Sequence, residues 1–272
     1  MRGRVLIIAG SDSGGGAGIQ ADIKTVTALD GFAATAITAL TAQDTEGVHA
    51  IHDVPPAFLA QQIAVVLADL GADAIKTGML HTAAVIATVA DALAAHARAV
   101  PLVVDPVMVA KGGARLLATD ATQALIARLL PRADVLTPNA PEAAALTGLA
   151  IATREDLIAA AKQLRAMGAR AVLAKGGHLP GAIVADVFVD GARVEVLESP
   201  RIETRSTHGT GCTLASAIAV GLAQGLGKLD AVHRARAYVL EALRTAPGYG
   251  RGHGPLNHAH TVRPFRLSKS SS

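Results

Sequence analysis

The chain is poor in sulfur, in rings and in clustered charge. Among 272 residues there is one cysteine, no tryptophan, two tyrosines and four phenylalanines. A single cysteine excludes an intrachain disulfide and suits a reducing compartment. So few aromatic rings leave little for a base-stacking platform. The isoelectric point is about 9.2, yet the formal net charge is only +3. Lys and Arg are scattered along the chain, so a nucleic-acid partner is not expected. Long uncharged apolar runs are missing too. Hydrophobic residues make up 51% of the chain and the mean hydropathy is +0.39, but charges recur before any run reaches a spanning length, so no membrane role is expected. Met1-Arg2-Gly3-Arg4 leads straight into a strand-like segment without the apolar core and cleavage site of a signal peptide. The expected location is the cytoplasm.

What the chain has is Ala and Val in quantity, as in a buried parallel sheet flanked by Ala-rich helices. Its length can bury a large core. Short β-branched runs predict strands over Val5–Ala9, Thr35–Thr41, Ala74–Thr77, Leu102–Asp105, Val135–Thr137 and Ala171–Lys175. Helices are predicted over Ala17–Leu29, Pro56–Leu70, Thr82–His96, Ala121–Leu130, Arg154–Met167, Thr213–Leu226 and Leu229–Thr245. Alternation of the two types implies a mostly parallel sheet with helices on both faces. Asp190-Gly191 between Ile183–Val189 and Arg193–Leu197 predicts a hairpin, and hence an antiparallel sheet edge. No repeat or linker divides the chain, so residues 1–260 read as one domain. The polar stretch 261–272 reads as a disordered tail.

The most informative run is His208-Gly209-Thr210-Gly211-Cys212-Thr213, just ahead of the apolar stretch Leu214 to Leu226. Small residues at a helix start expose N–H groups, and the helix dipole adds to their pull on an anion. A cysteine there is expected to ionise readily. An anion hole beside a base is what phosphoryl transfer to a hydroxyl needs. A Gly-rich cap with a small buried Cys as filler explains the same residues.

Other polar groups fall at strand ends, where parallel sheets bind ligands. The loop Gly10-Ser11-Asp12-Ser13-Gly14-Gly15-Gly16-Ala17-Gly18 lets a ligand approach the backbone, and its N–H groups could receive an acceptor phosphate. It is not a Walker A loop and is an imperfect dinucleotide fingerprint, although Asp30, about twenty residues past Gly10, keeps a cofactor reading open on spacing. Asp105, Asn139 and Glu142 could hold a hydrated Mg²⁺; Asn139 and Glu142 equally suit a helix cap near Pro141. Lys175 could neutralise phosphate or be a solvated lysine. Gln43 could read a heterocycle edge, or be an ordinary loop residue. His253, His258 and His260 are separated by Gly, Pro and Asn, a poor arrangement for zinc.

In order, Ala9 to Asp22, Thr38 to Gln43, Lys76 to Leu80, Asp105-Pro106-Val107-Met108, Thr137-Pro138-Asn139 with Glu142, Lys175 to His178, Thr207 to Cys212 and Gly252 to Pro255 resemble the ribokinase-like superfamily. Within it they look most like the hydroxymethylpyrimidine/phosphomethylpyrimidine kinases of thiamin biosynthesis, over roughly residues 4 to 260. The resemblance implies a three-layer α/β/α fold, ATP and Mg²⁺, and two successive phosphorylations of the pyrimidine. It implies a homodimer. It sets Gln43, Gly10, Ala17, Asp22, Met79 and Val107 around the pyrimidine ring. Cys212 takes the place of the catalytic base, with Gly209, Thr210 and Gly211 in the anion hole. Lys175 and Asn139 fall near phosphates, Asp105 and Glu142 near the metal. Asp44 and Ser206 stand where relatives often carry Asn. A pyridoxine/pyridoxal kinase of the same superfamily is the alternative. A nicotinamide-dependent dehydrogenase is opposed by the broken glycine spacing, and a non-catalytic pyrimidine-binding regulator by Cys212 and Lys175.

Overall fold

The computed structural model describes residues 1–110, 113–114, 116–118 and 120–263. Strands and helices alternate as β1 (Arg4–Asp12), α1 (Gly18–Ala28), β2 (Phe32–Gln43), β3 (Val48–Asp53), α2 (Pro56–Asp69), β4 (Ala74–Thr77), α3 (Ala83–His96), β5 (Leu102–Val104), α4 (Ala121–Arg128) and β6 (Val135–Leu136). Then come α5 (Ala140–Thr147), α6 (Arg154–Ala166), β7 (Ala171–Ala174), β8 (Ile183–Asp190), β9 (Arg193–Pro200), α7 (Thr210–Ala223) and α8 (Lys228–Arg244). They build one nine-stranded sheet in the order β3-β2-β1-β4-β5-β6-β7-β8-β9. The six strands from β2 to β7 in that order run parallel, while β3 pairs antiparallel with β2, β8 with β7 and β9 with β8.

Alternation along β1 sorts the core into two layers. Leu6 and Ile8 face a cluster with Leu59, Ile63, Ile86, Leu93, Leu157 and Leu164 from α2, α3 and α6. Val5, Ile7 and Ala9 face the opposite cluster, with Ile218, Val220, Val232 and Val239 from α7 and α8. Being covered on both faces, the central strands read as nearly continuous apolar runs. No described helix is long and apolar enough to cross a membrane.

The predicted strands and helices are found within a few residues of their ends, and the hairpin turns at Gly191 with φ +63°. Three differences matter. β3 was not expected: His49, His52 and Asp53 interrupt the apolar pattern, as an exposed edge strand permits. Helix α7 begins at Thr210 rather than Thr213, so Cys212 lies inside its first turn. Thr261, expected in the disordered tail, donates a 2.7 Å hydrogen bond to the Ala28 carbonyl. The rest of that tail beyond residue 263 lies outside the described residues.

Candidate active site

The carboxyl ends of the parallel strands open into a cavity of about 810 Å³. Its floor is set by β1 and the turn before α7. At the end of β1 the buried Asp12 carboxylate gathers the glycine-rich loop around itself. Its Oδ1 accepts from Gly14 N–H at 2.8 Å, and its Oδ2 from Gly16 and Ala17 N–H at 3.0 and 2.8 Å. Three of the N–H groups expected to face a phosphate are therefore already taken by the protein's own carboxylate. His208 adds a fourth bond, Nε2 to Asp12 Oδ2 at 2.8 Å. Burial would raise the Asp12 carboxyl, but these bonds hold it below its usual value.

The turn before α7 leaves N–H groups open toward the cavity. Gly209 is the N-cap with φ +81°, and a Cβ there would meet Gly16 O at 1.8 Å. Only glycine lets these two loops touch. Among the described residues, the Gly211 and Cys212 N–H groups have no hydrogen-bond partner, as expected in a first helical turn. Both residues line the cavity.

Cys212 departs from its expectation. Burial pushes its thiol up to about 12, with Lys76 pulling the other way and Asp22 and Asp105 adding to the rise. Loss of hydration and two nearby carboxylates outweigh the helix start and the Gly18 N–H, so the thiol is protonated at neutral pH.

Beyond the turn lies a carboxylate–lysine group. Lys175 Nζ donates to Asp105 Oδ1 at 3.0 Å and stands 4.0 Å from Glu142 Oε2. Thr137 Oγ1 donates to the same Asp105 oxygen at 3.0 Å. A Cβ on Gly211 would lie 3.2 Å from Lys175 Nζ, so the helix start touches this group directly. Asn139 and Glu142 do cap α5: Glu142 N–H donates to Asn139 Oδ1 at 2.9 Å and Asn139 N–H to Glu142 Oε2 at 2.8 Å. Capping does not remove them from the site, since both also line the cavity. Burial pushes the Glu142 carboxyl up to about 7, with Lys175 opposing and Asp105 reinforcing the rise.

Gln43, Gly10, Ala17, Met79 and Val107 line the other end of the cavity. A Cβ on Gly10 would lie 3.0 Å from Met79 Sδ. Asp22 is not there. It is fully buried under the site, accepting from Lys76 Nζ at 2.9 and 2.8 Å and from Ser216 Oγ at 2.7 Å. A carboxylate so satisfied has no free oxygen for a ring in the cavity. His253, His258 and His260 do not converge on one another: they meet Thr207, Thr213 and the Tyr238 carbonyl respectively. The sequence reading missed Asp12, His208 and Lys76. The signal for Lys76 was a lysine inside the otherwise apolar strand Ala-Ile-Lys-Thr.

Fold and mouth together define the class, a ribokinase-like small-molecule kinase. The family described as phosphomethylpyrimidine kinase matches residues 12–257. The chain belongs to the phosphomethylpyrimidine kinase family and is accordingly a phosphotransferase. It is 50% identical over 258 residues to the hydroxymethylpyrimidine/phosphomethylpyrimidine kinase of Rhizobium meliloti, covering 94% of this chain and 96% of that one. It is 53% identical to the thiamine biosynthesis bifunctional protein ThiED of Geobacter sulfurreducens over 97% of this chain, but spans only 54% of that protein's length. An ADP complex of Bacillus subtilis pyridoxal kinase superposes with a TM-score of 0.89 at 38% identity, covering 95% of this chain and 98% of that one.

Proposed function

We propose that this kinase transfers the terminal phosphoryl group of ATP to the hydroxymethyl oxygen of 4-amino-5-hydroxymethyl-2-methylpyrimidine. It then transfers a second to the resulting monophosphate, giving ADP each time and the pyrimidine diphosphate used in thiamin biosynthesis. The observation that carries this reading is the 50% identity to a kinase of that name along nearly the whole of both chains.

The lining of the cavity supports a set of residue roles. Gln43, Gly10, Ala17, Met79 and Val107 seat the ring. Gly209, Thr210 and Gly211 offer the helix start to the transferring phosphoryl group, where charge develops. Lys175 and Asn139 sit beside the ATP phosphates. Cys212 lies next to the acceptor oxygen and takes its proton through the small fraction present as thiolate. Asp22 works from below, fixing Lys76 under Cys212.

Asp105 and Glu142 are oxygen donors of the type Mg²⁺ takes. With Asp105 shared by Lys175 and one Glu142 oxygen used in the cap, they fit an ion held largely through water and phosphate oxygens. When bound, Mg²⁺ neutralises phosphate charge.

Three further expectations belong to the same reading. Residues 1–260 form one domain, a reading supported by the single sheet that collects the described strands. The protein is a homodimer; Leu40 on β2 and Phe58 and Val65 on α2, which packs against β2, are exposed apolar side chains for such an interface. It works in the cytoplasm, consistent with a lone free cysteine.

A second reading, a pyridoxine/pyridoxal kinase, draws on the pyridoxal kinase superposition. ADP release with the aminopyrimidine alcohol, its monophosphate and pyridoxine separates the two. The proposal expects turnover of both pyrimidines with kcat/KM well above that for pyridoxine. Turnover of pyridoxine alone overturns it.

A further inference from the structure

Gln43 does not stand alone in the cavity wall. One end of its carboxamide, Nε2, lies 3.4 Å from His208 Nε2. The other, Oε1, lies 3.1 Å from Thr41 Oγ1. Each neighbour has its own fixed polarity. His208 Nε2 is 2.8 Å from Asp12 Oδ2, a carboxylate that can only accept, so this ring nitrogen carries the hydrogen. Thr41 Oγ1 is 2.9 Å from the Ser11 carbonyl, which also can only accept. A hydroxyl has one hydrogen, and the shorter contact takes it. The ring nitrogen likewise has one hydrogen, which Asp12 takes, and with no lone pair left in the ring plane it can accept nothing from the amide; toward Gln43, then, Thr41 is an acceptor and His208 is not.

A carboxamide is nearly symmetric in shape, and its partners decide which end is which. These partners call for the carbonyl end against His208 and the amino end against Thr41. We infer that Asp12, His208 and Thr41 are positioning residues that lock the polarity of Gln43 and so set which order of donor and acceptor the site accepts on a ring edge. The inference rests on Gln43 reading the pyrimidine, as proposed above.

The locked amide keeps its carbonyl oxygen and one N–H for a ligand. That pair complements a ring nitrogen acceptor next to an exocyclic amino donor. An oxo group in place of the amino group reverses donor and acceptor. A free amide turns by half a rotation and reads both edges; a locked one reads one. Two glycines serve the lock. A Cβ on Gly16 would lie 2.5 Å from His208 Cδ2, and one on Gly14 would lie 3.2 Å from Asp12 Oδ1.

The test is the ratio of kcat/KM for the 4-amino alcohol to that for its 4-oxo analogue. It is measured for wild type, His208→Ala, Thr41→Val and Gln43→Ala. Thr41→Val removes the hydroxyl while keeping a β-branched shape suited to its strand. The lock predicts that Thr41→Val lowers the ratio at least about tenfold, the scale of one hydrogen bond in a dry site, and that His208→Ala lowers it too. The change should enter through KM for the pyrimidine, with KM for ATP holding. A ratio unchanged in Thr41→Val and His208→Ala, while Gln43→Ala lowers it, overturns the lock alone. A ratio unchanged in Gln43→Ala overturns the reading of Gln43 on which the lock depends.

Discussion

Lys76 Nζ lies 2.9 and 2.8 Å from the two oxygens of Asp22, and neither side chain has any exposed surface. Burial opposes the lysine's charge, but Asp22, the Cys212 sulfur and Asp105 outweigh it and hold the ammonium above its ordinary pKa. Lys76→Met leaves a carboxylate buried and unpaired. It is expected to cost about 3–5 kcal/mol, whereas removing both charges in Lys76→Met with Asp22→Leu should recover much of that loss. Urea midpoints of the two variants check this. A double variant as unstable as the single one would show that the pair holds the fold by more than its charges.

Cys212 gives a pH signature. With the thiol at about 12, the reactive fraction grows as pH rises toward that value. The first phosphorylation should therefore speed up roughly tenfold per pH unit through the neutral and mildly alkaline range where Cys212 acts as base. Cys212→Ala should lower its kcat by about 10²–10⁴ and flatten the profile. The second step has an acceptor oxygen with a pKa of about 6, already ionised at neutral pH, so it should lose less. Single-turnover rates on the alcohol and the monophosphate decide. Equal losses on both, with an unchanged profile, would remove Cys212 from the role of base.

Gly209 and Gly177 make a matched pair of substitutions. At Gly209 the backbone is at φ +81° and a Cβ would collide with Gly16 O; at Gly177 a Cβ meets nothing within 4 Å. Gly209→Ala should destabilise by on the order of 2 kcal/mol or more and abolish turnover, because the two loops must separate. Gly177→Ala should leave Tm nearly unmoved. Thermal melts and ADP release report both.

His258 should mark acid sensitivity. Burial pulls its imidazole down to about 4, with Lys24 and His260 adding to the effect. Its Nε2 is paired with Thr213 Oγ1 at 2.9 Å. Unfolded, the same ring takes a proton near 6.5, so the unfolded chain binds more protons between these values. The contribution is complete above pH 6.5 and fades as pH falls toward 4, by up to roughly 3 kcal/mol. Melting wild type and His258→Gln across that range should show the steeper decline in wild type. Parallel curves would assign the acid loss to other groups.

The apolar runs and the hairpin at Gly191 made most of the fold legible, because strands covered on both faces have no use for polar residues. β3 escaped because an edge strand answers to no such rule. Cys212, Lys175 and Gln43 were legible as types at strand or helix ends. Their neighbours were not. The carboxylate that closes the glycine-rich loop sits at the end of β1, and the histidine that meets it follows 196 residues later. Asp22 looked like a ring contact because the family resemblance sets it beside the pyrimidine; only the fold reveals that it turns inward to Lys76. The Cys212 thiol illustrates the same limit, since a helix start is visible in a sequence and the loss of water around it is not.

The order of the chain also bears on how the enzyme is made. The last strand ends at Pro200, so all nine strands exist before His208 to Cys212 are synthesised. A nascent chain can thus assemble its sheet and the α2–α3 side of its core while the other side carries α1 but still lacks α7 and α8. Asp12 holds its loop ready for a partner that arrives 196 residues later. A product truncated after Pro200 would therefore carry every described strand of the scaffold yet have neither the turn before α7 nor the cysteine.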